Sequence, residues 1–343
     1  MRTIDAVVRA AGERLHPHVL DYVLGGAETE TTLRRNREAY ERRALVPRVL
    51  RDVGSVDLST TMLGTPLALP VVLAPIGSLS LVDPDGAVAS ARAAASAGTT
   101  CVVGLMAKPG FAEVAAAVPE PMACQLYVRG DDRWLADVVR RVEDLGYRSV
   151  HLTVDSAVYG RRVRDLVNGF SPREAADRPD HAGQGGPRGA AYQAALTWDV
   201  VDRLRAATTL PIVLKGVVSA ADARLAVEHG VDGVYVSNHG GRQLDYGCAT
   251  LDRLGDVVSA VAGRAEIGFD GGVRHGTDVV MALALGARWV GIGRLQALGL
   301  AAAGEQGVRR VLDLLAEEMR SAVALLGSRT PGDLCPEDVT TYP

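Results

Sequence analysis

Lysine is almost missing from this 343-residue chain: the 37 basic residues comprise 35 arginines and two lysines, Lys108 and Lys215. Aromatic residues are also scarce, at 4%, which suits tightly packed α/β units better than an aromatic-cored β-sandwich. The four cysteines, Cys101, Cys124, Cys248 and Cys335, lie far apart with no CxxC spacing. No disulfide framework is expected; they read as reduced thiols of a cytoplasmic protein. Basic charge is not in excess, with a net charge of −4 and a pI of about 6.0. A nucleic-acid partner is therefore not expected. No apolar run nears the ~20 residues that span a bilayer. The first residues, MRTIDAVVRAAGERLHPHVLDY, are charged throughout and have no signal-peptide core. No membrane partner is expected, and no HExxH or other metal-ligand spacing appears.

What the chain does have is apolar material, 48% of its residues, and 38 glycines. Residues 1–45 read as helical, with Ile4, Val7, Val8 and Leu15 at helical spacing, a Gly-Gly break at 25–26 and a second helix over roughly 28–40. Then the rhythm changes. Short apolar runs occur at 69–75, 99–104, 122–128, 149–155, 210–216, 232–238, 265–270 and 287–293, separated by segments of helical periodicity. Strands alternating with amphipathic helices predict βαβ units and a parallel sheet. Eight such units predict a single α/β domain over 1–343: a (β/α)8 TIM barrel at 66–327 behind an N-terminal helical segment at 1–65. One connection is oversized: residues 156–195 are polar and rich in Gly, Pro and Arg, and are expected to form a lid.

In such a barrel the C-terminal strand ends build the active site. Gln125, Thr153 and Lys215 interrupt apolar strands there, and a buried amine is costly unless paired. GFDGGVRHG and VGIGR are Gly-rich turns, each with an arginine, and together suggest a phosphate site after the last two strands. The most specific segment is VYVSNHGGRQLD at 234–245, which places His239 at a strand end three residues before Arg242. Asp155, at another strand end, could fix the tautomer of that imidazole. A histidine beside an arginine suggests proton abstraction from a substrate whose carboxylate the arginine holds. The other histidines, His16, His18, His151, His181, His229 and His275, lack such a setting and read as structural or surface residues.

With DYVLGGAETETTLRRN at 21–36, SNHGGRQLD, DGGVRHGTD and GIGR in this order, the chain resembles the FMN-dependent 2-hydroxy acid oxidases and dehydrogenases. That family includes glycolate oxidase, lactate oxidase, mandelate dehydrogenase and hydroxymandelate oxidase. The resemblance implies FMN across the barrel mouth, its phosphate at Asp270, Gly271, Gly272, Val273, Arg274, Gly293 and Arg294. It implies Lys215 at the flavin's pyrimidine edge, Gln125, Thr153 and Ser237 in hydrogen-bonding positions, and Pro75, Ile76 and Gly77 under the reactive edge. Tyr22, Arg162 and Arg242 match the substrate-carboxylate clamp. Tyr127 matches a tyrosine near the substrate hydroxyl, His239 the base and Asp155 its partner. It also implies a homo-oligomer, a tetramer in the family.

Three departures stand out. Gly77 replaces the alanine of glycolate and lactate oxidases, and leaves the electron acceptor open between O2 and another. Gly104, also placed beside the cofactor, and Met106 replace a serine and a tryptophan of glycolate oxidase. GRL at 293–295 replaces GRP. Gly77 and Met106 together are expected to enlarge the substrate pocket toward a bulky, aromatic, mandelate-like 2-hydroxy acid. A Schiff-base aldolase acting through Lys215 is the reading from a different class.

Overall fold

The computed structural model describes residues 1–120, 122–172 and 186–342. Each apolar run is a strand: β1 (Val71–Leu73), β2 (Val102–Gly104), β3 (Ala123–Leu126), β4 (Val150–Thr153), β5 (Ile212–Val217), β6 (Gly233–Val236), β7 (Glu266–Phe269) and β8 (Trp289–Ile292). All pair in parallel, in the order β1-β8-β7-β6-β5-β4-β3-β2. A bridge from Leu73 to Cys101 closes the ring, giving the (β/α)8 barrel. The strands are buried on both faces, by helices outside and by side chains inside, which explains why they read as continuous apolar runs.

The barrel interior is a packed core. Val72, Val102, Ala123, Val213, Tyr235 and Trp289 fill it, and Met62 and Leu67 join them from a hairpin, Thr60–Met62 with Thr65–Leu67. Leu63 of that hairpin donates to Glu266 at the start of β7, so the hairpin plugs the end opposite the active-site mouth. Trp289 is large for a barrel layer, and Gly268 on the neighbouring strand makes room for its ring.

Three helices precede the barrel: α1 (Ile4–Arg14), α2 (Pro17–Leu24) and α3 (Thr31–Glu41). α1 buries Ile4, Val7 and Ala11 and packs on the last helix, Arg294–Leu325. Pro17 opens α2 at its first position, where a missing N–H costs nothing. The helix expected from about residue 28 begins at Thr31. Glu28 and Glu30 both have positive φ, and Glu30 reaches back to accept from the Gly26 N–H. The chain's ends meet: Arg43–Leu45 pairs antiparallel with Val339–Thr341. All four cysteines are free. Among the described residues no helix is long and apolar enough to cross a membrane.

Of the long connection at 156–195, residues 173–185, including His181, lie outside the described residues. Its two described limbs carry short helices, Val163–Val167 and Gly186–Ala194, and both are docked. Gln193 on the return limb is buried, donating to the Thr153 carbonyl at 2.8 Å and accepting from Val128 N–H at 2.7 Å. Buried hydrogen bonds and ion pairs hold these two limbs, and the expected lid falls largely on residues outside the described ones.

Gly268→Ala should place a Cβ inside the Trp289 ring and destabilise the barrel by about 1–3 kcal/mol. Urea unfolding should show a lower midpoint at unchanged slope. A wild-type midpoint would contradict this packing.

Candidate active site

A cavity of about 900 Å³ opens at the C-terminal ends of the strands. Its floor is strand ends and its side wall is the N-terminal segment. α2 stops at Gly25, where a Cβ would lie 2.7 Å from the Asp21 carbonyl and 3.3 Å from the Arg164 side chain. The carbonyls left over at that end are taken by arginines from distant loops. Arg242 Nη1 donates to Tyr22 O at 2.7 Å and Gly25 O at 2.8 Å. Arg294 donates to Leu24 O, Gly25 O and Gly240 O. The negative end of the helix dipole favours these cations.

Pinning Nη1 of Arg242 leaves Nε and Nη2 without a protein partner among the described residues. The Tyr22 ring lies between two guanidiniums, 4.8 Å from Arg242 and 5.7 Å from Arg162. Arg162 in turn donates to the Tyr159 hydroxyl and lies 4.2 Å from that ring. Burial, and then Arg162 nearby, push Arg242 below the usual arginine value. Burial and the neighbouring Arg242 push Arg294 down to about 9. The Tyr22 phenol is drawn below its ordinary value because Arg242 and Arg162 outweigh its burial. A net-negative chain has concentrated positive charge in one pocket, and an anion there would relieve it.

His239 stands opposite. It follows β6 in the left-handed region, φ 57°, ahead of Gly240 and Gly241 at 65° and 75°. The glycines are required by close approach: a Cβ at Gly240 would meet Arg294 Nη1 at 2.7 Å, and one at Gly241 would meet Leu33 N at 2.7 Å. Hydrogen bonds hold the strained turn. His239 N–H donates to Ser237 Oγ, and Asn238 exchanges amide bonds with Asn36 of α3. His239 Nδ1 is 3.0 Å from Asp155 Oδ1. A carboxylate only accepts, so in the neutral imidazole Nδ1 carries the proton and Nε2 the lone pair. Burial would raise Asp155, but His239 and Lys215 outweigh it and hold the carboxyl below its ordinary value. The backbone leaves space for this aspartate at Gly216, φ 113°, where a Cβ would lie 2.6 Å from Asp155 Cβ.

Lys215 is buried, with two polar partners and a side that lines the cavity. Its Nζ donates to Ser237 Oγ at 2.9 Å and lies 3.3 Å from Asp270 Oδ2, while Ser237 donates to Asp270 Oδ1 at 2.6 Å. Asp270 lines the cavity as expected of a cofactor neighbour. Its carboxylate faces Lys215, and its N–H is spent on the Val236 carbonyl. Gln125 donates to Thr153 Oγ1 at 2.9 Å, and Gly104 leaves room for that amide, a Cβ there lying 3.3 Å from Gln125 Oε1.

Gly271 and Gly272, with φ 122° and 76°, and Arg274 form one part of the mouth; Gly293 and Arg294 form another. The helix after β7, Gly276–Ala284, is not an open anion site, because Glu318 takes the Gly276 N–H and Asp278 takes those of Arg274 and His275 just ahead of it. The helix after β8 is different. It starts at Gly293 with no side-chain cap, and a Cβ at Gly293 would meet nothing within 4 Å. An uncapped helix N-terminus beside Arg274 and Arg294 fits a phosphate group.

The structure brings the expected residues together around one cavity. Tyr22, Pro75, Ile76, Gly77, Met106, Gln125, Tyr127, Arg162, Lys215, His239, Arg242, Asp270, Gly271, Gly272, Val273, Arg274, Gly293 and Arg294 line it. Gly104, Thr153, Asp155 and Ser237 stand just behind, supporting the residues that do. Three residues escaped the sequence reading. Tyr159 and Gln193 lie in the long connection, whose polar composition gave no periodicity to place them. Ser78, which accepts from the Tyr22 hydroxyl at 3.2 Å, is one serine among many.

This barrel and cavity are those of a flavin-dependent oxidoreductase, and the comparisons agree. A family model for FMN-dependent dehydrogenases matches residues 11–341, and the chain belongs to that family. FMN is its cofactor. Glycolate oxidase 5 of Oryza sativa subsp. japonica is 43% identical over 346 residues, which cover 96% of this chain and 93% of that protein. The peroxisomal (S)-2-hydroxy-acid oxidase GLO4 of the same plant is 44% identical, over 94% of this chain and 91% of its own. A crystal structure of mandelate oxidase with benzoyl-formic acid superimposes with a TM-score of 0.91 at 40% identity, covering 100% of this chain and 98% of the other.

Asp155→Asn and Gly216→Ala should each slow reduction of the bound flavin by roughly 10²–10⁴-fold while FMN content stays at one per chain. Anaerobic stopped-flow absorbance reads this. Wild-type rates in both variants would show that the Asp155–His239 bond is not needed.

Proposed function

We propose that the chain oxidises a 2-hydroxy acid with a bulky, aromatic substituent, a mandelate-like acid, to the 2-oxo acid, and that O2 takes the electrons. The observation behind the reading is that His239, oriented by Asp155, and two guanidiniums, Arg162 and Arg242, line one cavity. The free Nε/Nη2 edge of Arg242 suits a carboxylate bidentately, and Arg162 closes on it from the loop side. Burial, reinforced by the charge of Asp155, keeps the Tyr127 phenol protonated, so its O–H can donate to the substrate oxygen. With the carboxylate held, His239 Nε2 takes a proton from the α-carbon or hydroxyl, and Asp155 stabilises the imidazolium. Bound FMN supplies the two-electron acceptor. Gly293, Arg274 and the uncapped helix would hold its phosphate, with Lys215 at the flavin ring. A Schiff base at Lys215 is disfavoured, because an ammonium ion-paired with Asp270 has no lone pair to attack a carbonyl.

Gly77 does not itself enlarge the pocket. A Cβ at Gly77 would lie 2.9 Å from Met106 Cβ, so the absent methyl makes room for Met106 and not for substrate. Any gain in pocket space therefore rests on Met106, which is unbranched and adaptable. With about 1–3 kcal/mol per methylene-sized contact, the resulting preference should be large.

His239→Ala should keep FMN and lose flavin reduction; reduction at the wild-type rate would remove His239 from the mechanism. In steady state, kcat/KM should favour mandelate over lactate and glycolate, and Met106→Trp should shift preference toward the smaller acids. A wild-type preference for glycolate would overturn the pocket reading.

A further inference from the structure

Arg162 is carried on the segment leaving β4, and its described side-chain contacts are local or soft: Tyr159 three residues earlier and the face of Tyr22. Its position therefore depends on how that segment is held. Two residues on, Arg164 reaches the N-terminal segment at two carboxylates, Asp21 Oδ1 at 3.2 Å and Glu30 Oε2 at 2.7 Å. Asn168, one turn later, donates to Asp21 Oδ2 at 2.9 Å. The contact continues through the backbone, where Glu28 N–H donates to the Arg161 carbonyl at 2.9 Å, and through the exposed pair Arg161–Glu28 at 3.3 Å. Asp21 immediately precedes Tyr22, and Glu30 organises the turn whose Gly25 carbonyl holds Arg242 and Arg294.

We propose that Arg164 is a positioning residue for the substrate carboxylate: its ion pairs with Asp21 and Glu30 latch the Arg162 segment onto the segment carrying Tyr22. The proposal rests on the reading of Arg162 and Tyr22 as carboxylate contacts. The latch acts on affinity and not on the chemical step, because none of its members touches His239 or Asp155. Arg164 and Asp21 are each 39% exposed, so the pairs are screened by salt. The site should therefore assemble less completely as ionic strength rises.

The test titrates FMN-loaded protein with benzoylformate, reading Kd from the flavin spectrum, and measures anaerobic flavin reduction by mandelate. Arg164→Ala should weaken benzoylformate roughly tenfold, while FMN content and thermal midpoint match wild type and the flavin-reduction rate at saturating mandelate stays within about twofold. Arg164→Lys, which keeps the charge, should recover part of the affinity. Added NaCl should raise Kd more steeply in wild type than in Arg164→Ala. If Arg164→Ala is unstable, the double variant Asp21→Asn/Glu30→Gln should give the same loss of affinity. Arg162→Ala is run beside them. If it weakens benzoylformate and the latch variants do not, the latch is wrong. If Arg162→Ala itself binds like wild type, the carboxylate assignment is wrong and the latch falls with it. A lower saturating reduction rate at unchanged Kd in Arg164→Ala would also overturn the proposal.

Discussion

A helix ends in carbonyls that lack intrahelical partners, and where α2 ends those carbonyls meet arginines instead of water. Tyr22 O, Leu24 O and Gly25 O accept from Arg242 and Arg294, side chains more than 200 positions away in sequence. The N-terminal helices are thus a wall of the cavity. One contact set does several jobs. It compensates the helix dipole, orients the Arg242 fork, places the Tyr22 ring against two guanidiniums, and keeps buried positive charge from being unpaired. The arginine bias of the composition suits this role, because a planar guanidinium can bind two carbonyls and still present a free edge.

A second constraint lies under the first. Ser237 Oγ accepts from Lys215 and from His239 N–H and donates to Asp270, so one hydroxyl ties the ends of β5, β6 and β7. The left-handed backbone of His239 is tolerated because that bond, the Asn36–Asn238 pair and Asp155 all fix it. The turn so held puts His239 on the cavity wall. His239 and Lys215 each have their own carboxylate, Asp155 beside His239 Nδ1 and Asp270 beside Lys215 Nζ.

The barrel was legible because parallel strands covered on both faces leave continuous apolar runs between helical periods, and all eight runs are strands. The site was legible at strand ends, where His239, Lys215 and Gln125 interrupt those runs. What escaped has physical reasons. The start of α3 shifted because two glutamates take positive φ for a turn that only tertiary contact explains. The partnership of Asp270 with Lys215, 55 positions away, is likewise set by the barrel and not by local sequence. Tyr159, Gln193 and Arg164 sit in a polar connection with no period to read. Gly77 suggested empty space, which in three dimensions belongs to Met106.

The central claim is that one cavity joins an anion clamp, a carboxylate-oriented histidine and a flavin site into a 2-hydroxy acid oxidation centre. Anaerobic mixing of the yellow FMN-loaded protein with a panel of 2-hydroxy acids tests it most directly. Full bleaching of the flavin is expected, with one 2-oxo acid formed per FMN and the fastest bleaching by aromatic members. A flavin that stays oxidised with every acid of the panel would contradict it.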